Sequence, residues 1–171
     1  MNSVVIQYQD KVLDLSKLKP EDIQIKDIAT ALSKICRYAG RISEFYSVAQ
    51  HSVIVSKKVS PQLAFAALLH DAAEAYAGDV ISPIKHKLPR FQQLEKIVFN
   101  VILERFGLIE DYWLHEQHIK MIDKFVIQEE MAYFYGDAID ILGHRPIEHR
   151  DAFWEFLRAF YRLEGKKWTS I

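Results

Sequence analysis

A histidine and an aspartate stand side by side inside an apolar helical stretch, Ala67-Leu68-Leu69-His70-Asp71-Ala72-Ala73-Glu74. An imidazole and a carboxylate in such surroundings are costly unless something satisfies both. A chain with this stretch must therefore fold so that other segments bring partners to it. A metal ion satisfies both groups at once. Two further residues are candidates to complete its shell. One is His51, upstream in Val48-Ala49-Gln50-His51-Ser52-Val53. The other is Asp123, downstream in Lys120-Met121-Ile122-Asp123-Lys124. The feature points to a metal centre built from three segments, and to the hydrolysis such a centre can run.

Helix signals surround the pair. Ile28, Ala31, Leu32 and Ile35 follow helical spacing from Asp27 to about Cys36, with Gly40 closing the segment. Ser47-Val48-Ala49-Gln50 reads as a capping box that starts a helix to about Val59 and puts His51 in its first turns. Ser60-Pro61 starts a second helix, expected to run unbroken through His70 and Asp71 to about Ala77, where Gly78 stops it. Residues 79–88 read as a loop. Helices follow over Pro89–Phe106, about Tyr112–Tyr135 and Glu148–Leu163, with Gly107 and Gly136 as stops and an irregular stretch over 137–147. Residues 4–15 alternate loosely, as a short hairpin or extended arm would. The expectation is an all-α fold: one bundle of about six helices over residues 1–171.

Composition narrows the class. Half of the 171 residues are apolar and 26% are charged, as in an ordinary globular domain. The net charge of −1 gives no field that would draw nucleic acid or an anionic membrane. The single Cys36 excludes an intrachain disulfide and fits a reducing compartment. The start, Met1-Asn2-Ser3-Val4-Val5-Ile6-Gln7, lacks a basic leader region, and no apolar run reaches about 18 residues. A cytoplasmic protein without a membrane span is expected.

Two histidines and two aspartates suit one divalent ion of Mn, Fe, Co, Ni or Zn, and the ligand types alone do not choose among them. On a regular helix Asp71 sits about 100° round from His70, while Glu74 shares the face of His70. Glu74 is the natural group to handle a proton of the reacting water, and Asp79, just past the helix stop, is a second carboxylate at the same end. Lys85 offers a point charge to phosphate. Arg37 and Arg41 flank Gly40, and Arg37 offers a bidentate fork. The fourth ligand is the least constrained, because the same helix also carries Asp111, Glu129 and Glu130. Asp123 is preferred because Met121, Ile122, Phe125 and Val126 around it imply an inward face.

In this order on helices, His51, then His70-Asp71, then Asp123 resembles the HD-domain metal-dependent phosphohydrolase superfamily. The string His70-Asp71-Ala-Ala-Glu74-Ala-Tyr-Ala-Gly78-Asp79-Val-Ile-Ser-Pro83-Ile-Lys85 is similar to its 5′-deoxynucleotidase branch. So are Ile35-Cys36-Arg37-Tyr38 and Tyr46-Ser-Val-Ala-Gln50-His51-Ser52, which also match phage-type relatives. The resemblance covers roughly residues 25–125. It implies metal ligation by His51, His70, Asp71 and Asp123, water activation by Glu74, and a role for Asp79 at the sugar or leaving group. It further implies phosphate contacts from Arg37 and Lys85, and Tyr38 near the base or sugar, where the branch more often has Trp. The span from His51 to His70 is short for the branch. A homodimer or higher oligomer is implied as well.

Two reactions fit. One releases phosphate from deoxynucleoside 5′-monophosphates. The other removes tripolyphosphate from a deoxynucleoside triphosphate such as dATP. A non-catalytic, metal-stabilised interaction domain is the alternative outside enzymology. His115 and His118 read as a solvated helix start, His144 and His149 as surface residues, and His86 as a neighbour of Lys85. Lys57-Lys58 and Lys166-Lys167 read as solvated faces, and Cys36 as a small buried side chain. The apolar arc Phe153, Trp154, Phe156, Leu157, Phe160, Tyr161 reads first as core and second as a subunit interface.

Overall fold

A computed structural model describes residues 3–8 and 11–165, and eight α-helices occur among them. They are α1 (Ile25–Lys34), α2 (Val48–Lys58), α3 (Ala64–Leu68), α4 (Glu74–Ala77), α5 (Ser82–Lys85), α6 (Pro89–Arg105), α7 (Ile109–Tyr135) and α8 (His149–Glu164). Short 3-10 turns cover Pro20–Asp22, Arg37–Gly40 and Pro61–Leu63. A two-stranded antiparallel hairpin comes first, β1 (Val5–Tyr8) on β2 (Lys11–Asp14), with Val5 opposite Asp14 and Tyr8 opposite Lys11. Gln9 and Asp10, between the strands in sequence, lie outside the described residues, as do Lys166 and Lys167. The chain is mainly helical, with the expected hairpin. The helix count exceeds six because the 60–77 helix is broken into α3 and α4, and because one turn, α5, forms in the expected 79–88 loop with Pro83 in its first turn.

α2 is the centre. Every residue from Val48 to Ser56 is buried, because α1, α3, α7 and α8 pack around it. A helix enclosed on all sides is a core helix whatever its polarity pattern, so His51 is interior. The Ser47 hydroxyl accepts from the Gln50 backbone N–H at 3.2 Å, which caps the helix. The reciprocal half of the expected capping box is not made. The Gln50 side chain instead donates to the Arg145 carbonyl at 2.6 Å and accepts from the Ile147 N–H at 3.1 Å. It thereby pins the irregular 137–147 stretch to the core.

The apolar arc of α8 packs on α1, α2 and α3, with Phe160 edge-on to Phe65 and Phe106 at 5.3 and 5.0 Å between ring centres. Burial of each such side chain contributes about 1.5–3 kcal/mol. Trp154, Phe153 and Tyr161 flank the buried Phe156, Leu157 and Phe160 and are half-buried against the same core. α7, about 40 Å long by its rise per residue, touches the core along a narrow seam of Tyr112, Ile119, Val126 and Glu130. Gly136 ends it. A Cβ there would come within 2.7 Å of the Ala132 carbonyl oxygen, so only glycine fits.

Candidate metal centre

Around His70 the chain leaves regular helix geometry. The Leu69, His70, Ala72 and Glu74 N–H groups donate to carbonyls three residues back, those of Ala66, Ala67, Leu69 and Asp71. This is the tighter 3-10 winding, which turns about 120° per residue, and it corrects the expected unbroken helix. The Ala67 carbonyl accepts from the His70 ring Nδ1 at 2.8 Å as well as from the His70 backbone N–H at 3.4 Å. The pair is therefore carried on a tightened turn between α3 and α4, with its imidazole tied to the local backbone.

Three segments converge here. His51, His70 and Asp71 bring one ligand atom each to within 4.8 Å of one another. Asp123, from α7, places Oδ1 3.0 Å from His51 Nε2 and 3.8 Å from His70 Nε2. Asp71 Oδ2 lies 3.2 Å from His70 Nε2 and 3.8 Å from His51 Nε2. In both rings Nδ1 is engaged elsewhere, His51 with Glu130 Oε1 at 2.6 Å and His70 with the Ala67 carbonyl. Both Nε2 atoms are buried and have no hydrogen-bond partner despite the carboxylates beside them. That pattern fits a metal ligand set, since a ligating histidine usually donates its other nitrogen to a carboxylate or carbonyl. The apolar-neighbour argument for Asp123 holds only in part. Val126 is buried and Ile122 half-buried, but Met121 and Phe125 face outward.

Charge tells the same story. Burial disfavours a charged His70, but Asp71 and Asp123 outweigh it and lift its pKa well above the ordinary value. Burial likewise opposes charge on Asp71 and Asp123, and the imidazoles overcome it, holding both below the usual carboxylate range. Without a cation the cluster holds a proton in its place. Glu74 goes the other way. Burial, then the charges of Asp71 and Asp79, push its pKa well above normal. Its Oε2 is buried with no partner, while Oε1 stands 3.6 Å from Lys85. Burial also raises Asp79.

Two cavities meet at this cluster and share Asp71, Glu74 and Lys85 in their walls. One, of about 320 Å³, also takes Arg37, Tyr38, Asp79 and Asp123. The other, of about 380 Å³, has His70, Phe99, Tyr112, Trp113, Lys96 and Lys120. Lys85 is already paired with Glu95 at 2.8 Å. Arg41 is exposed and does not line either cavity, and neither does His86. His115, His118, His144 and His149 stand apart from the cluster. Cys36 is half-buried, bridging to Ser47 by backbone pairing.

The residue that sequence reasoning left among the alternatives is Glu130. It ligates nothing at the cluster and sits behind His51, fully buried. Arg37, expected to reach phosphate, forks onto Glu130 through Nε and Nη2 at 3.2 and 3.0 Å, and its Nη1 lies 3.9 Å from Asp71. Tyr38 donates its hydroxyl to the same carboxylate at 2.5 Å. Burial opposes the charge on Glu130, yet His51 and Arg37 hold its pKa down to about 2. The available signal was its place on the core seam of α7, four residues after Val126.

No family model matches the chain. It is 45% identical over 106 residues to the uncharacterized protein YfdR of Escherichia coli, covering 62% of this chain and 60% of that protein. It is 37% identical over 106 residues to the uncharacterized protein RCAP_rcc00048 of Rhodobacter capsulatus, covering 56% and 54%. The chain thus spans less than two thirds of the length of each. No helix among the described residues is long and apolar enough to cross a membrane.

Proposed function

We propose that this chain is an HD-type metal-dependent phosphohydrolase acting on 2′-deoxynucleotides, releasing phosphate from deoxynucleoside 5′-monophosphates. One observation carries the reading. Two buried histidine Nε2 atoms without hydrogen-bond partners converge on two carboxylates, next to a third, buried carboxylate that has an unpartnered oxygen of its own. His51, His70, Asp71 and Asp123 would hold one divalent ion of Mn, Fe, Co, Ni or Zn. Bound there, such an ion polarises a phosphoryl oxygen and makes water more acidic.

The remaining work falls to side chains. Glu74 lines both cavities beside Asp71 and is placed to act as base. It takes one proton as the water oxygen bonds to phosphorus. The bond from phosphorus to O5′ breaks, and a proton passes to O5′ from Asp79, which lines the same cavity as Arg37. The products are the deoxynucleoside and orthophosphate. Arg37 and Lys85 face the same cavity and orient the phosphate. The protein acts on a small molecule, without nucleic acid.

A second reading has its own support. The 380 Å³ cavity opens from the same Asp71–Glu74 edge, which leaves room for β- and γ-phosphates; Lys85 and Lys120 in its wall would reach them by leaving Glu95 and Glu116, while Lys96 lies over the Trp113 ring. The test is a product assay with Mn²⁺-, Co²⁺- and Zn²⁺-loaded protein on all four dNMPs and all four dNTPs. Orthophosphate from dNMPs, with dNTPs untouched, is the expected result. Tripolyphosphate from a dNTP would establish the second reading. Metal binding without turnover of any of them would return the domain to the non-catalytic class.

A further inference from the structure

We infer that Glu130 is a positioning residue that joins the metal ligand His51 to the Arg37–Tyr38 wall of the substrate cavity, so that the two are built as one unit. The inference rests on the metal-site reading above. It starts from how the carboxylate is filled. Oε2 accepts from Arg37 Nε and Nη2 and from the Tyr38 hydroxyl, while Oε1 accepts from the Tyr46 hydroxyl at 2.9 Å and meets His51 Nδ1 at 2.6 Å. Every other partner is a donor, so Glu130 acts purely as an acceptor. Nδ1 of His51 must then carry a hydrogen, which leaves Nε2 as the nitrogen turned toward Asp71 and Asp123 and available to a metal ion. The ring cannot flip or change tautomer without breaking its strongest contact.

The same carboxylate holds the turn. Tyr38 and Ala39 both adopt left-handed backbone angles, φ +57° and +52°. Residues other than glycine adopt this conformation rarely, and it persists only where surroundings over-determine it. Here the surroundings are the Tyr38 and Arg37 contacts with Glu130, the Arg37 N–H bond to the Tyr46 carbonyl at 2.8 Å, and the Cys36–Ser47 bridge. Arg37 and Tyr38 then line the 320 Å³ cavity. The buried Glu130 lines neither of the two cavities at the cluster, so it acts on them through the residues it holds.

The experiment uses metal-free full-length protein and no nucleotide. Wild type, Glu130→Gln, Tyr38→Phe and Tyr46→Phe are titrated with Co²⁺ against a chromophoric chelator, and the visible spectrum of the Co²⁺ form is recorded. Gln keeps the shape but has one acceptor oxygen, which belongs toward the three donors of Arg37 and Tyr38, so its N–H₂ faces Tyr46 and His51 Nδ1 and favours the wrong tautomer of that ring. Loss of an outer partner typically lowers metal affinity about 10–100-fold, and that loss with an altered Co²⁺ spectrum is expected for Glu130→Gln. Smaller losses in the same direction are expected for both tyrosine variants, although each hydroxyl bonds to Glu130 and not to His51. Wild-type affinity and spectrum in Glu130→Gln overturn the inference. Should that variant fail to fold, wild-type affinity in both tyrosine variants overturns it. A wild-type protein that binds no Co²⁺, Mn²⁺ or Zn²⁺ overturns the phosphohydrolase reading and this inference with it.

Discussion

His51 and His70 reach one point from segments of opposite character. α2 is capped by Ser47, enclosed on every side, and backed at His51 by a carboxylate 79 residues away in sequence. The turn that carries His70 is wound by three-residue hydrogen bonds, and its imidazole is backed by a carbonyl only three residues away. The first half is held by tertiary structure, the second by local backbone. An imidazole needs only that its far nitrogen be occupied so that the near one points inward, and either device achieves this. The two differ in what else depends on them. Removing His51 disturbs the network behind it at Glu130, whereas removing His70 frees the Ala67 carbonyl and takes an imidazole from beside Asp71 and Asp123.

Substitutions can separate the two halves. The largest effect is expected at Asp71, which lies beside both Nε2 atoms. Asp71→Ala should lose both metal and turnover, measured by metal content after dialysis and by phosphate release. A full metal complement in that variant would remove Asp71 from the ligand set. Next is Glu74→Gln, which should keep its metal but lose at least about 10²-fold in turnover, the lower end of general acid–base contributions. Normal turnover would take Glu74 out of the mechanism.

The sharpest contrast is in stability without metal. His51→Ala leaves the buried Glu130 one partner short, at a cost of about 1–3 kcal/mol, a loss that should persist at alkaline pH. His70→Ala removes the imidazole that pairs with Asp71 and Asp123, so its cost should shrink as pH rises and that imidazole loses its charge. The same pH profile for both losses in urea unfolding with chelator present would erase the distinction. The pH dependence of the metal-free protein follows from the same groups. His70 has a raised folded pKa, so its contribution is complete below the ordinary 6.5 and is lost as pH rises through the folded value. Glu130 has a depressed pKa, so its contribution is present above the ordinary 4.5 and is lost as pH falls through about 2. Unfolding midpoints should therefore peak between these limits, and added Zn²⁺ should flatten the alkaline side, because the ion replaces the His70 proton. Smallest is Ser47→Ala, which removes the cap of α2 at about 1 kcal/mol and should leave Co²⁺ affinity per folded molecule unchanged.

Much of the helical layout was readable from local signals. Ser47 before Val48, Gly78 after Ala77 and Gly136 after Tyr135 mark boundaries because capping and left-handed or crowded positions depend on a few neighbouring atoms. The cluster of His51, His70, Asp71 and Asp123 was also readable, since polar groups on apolar segments must find one another. The break at Leu69–Ala73 was not. A sequence of Ala and Leu has high helix propensity, and nothing in it signals that the His70 ring will bond to the Ala67 carbonyl at the break.

By itself, the sequence determined that two imidazoles and the carboxylates of Asp71 and Glu74 lie on apolar segments, and it left the carboxylate from α7 open among Asp111, Asp123, Glu129 and Glu130. Periodicity and caps are local, and so is the cost of burying a polar group. Which carboxylate would face the histidines and which would brace one from behind was decided only by the tertiary structure. Asp123 and Glu130 lie seven residues apart on α7, with the same chemistry and nearly the same face. Their different roles follow from what the rest of the fold sets against each. At Asp123 it is the edge of a cavity and two bare nitrogens. At Glu130 it is a closed pocket of Arg37, Tyr38, Tyr46 and the back of His51.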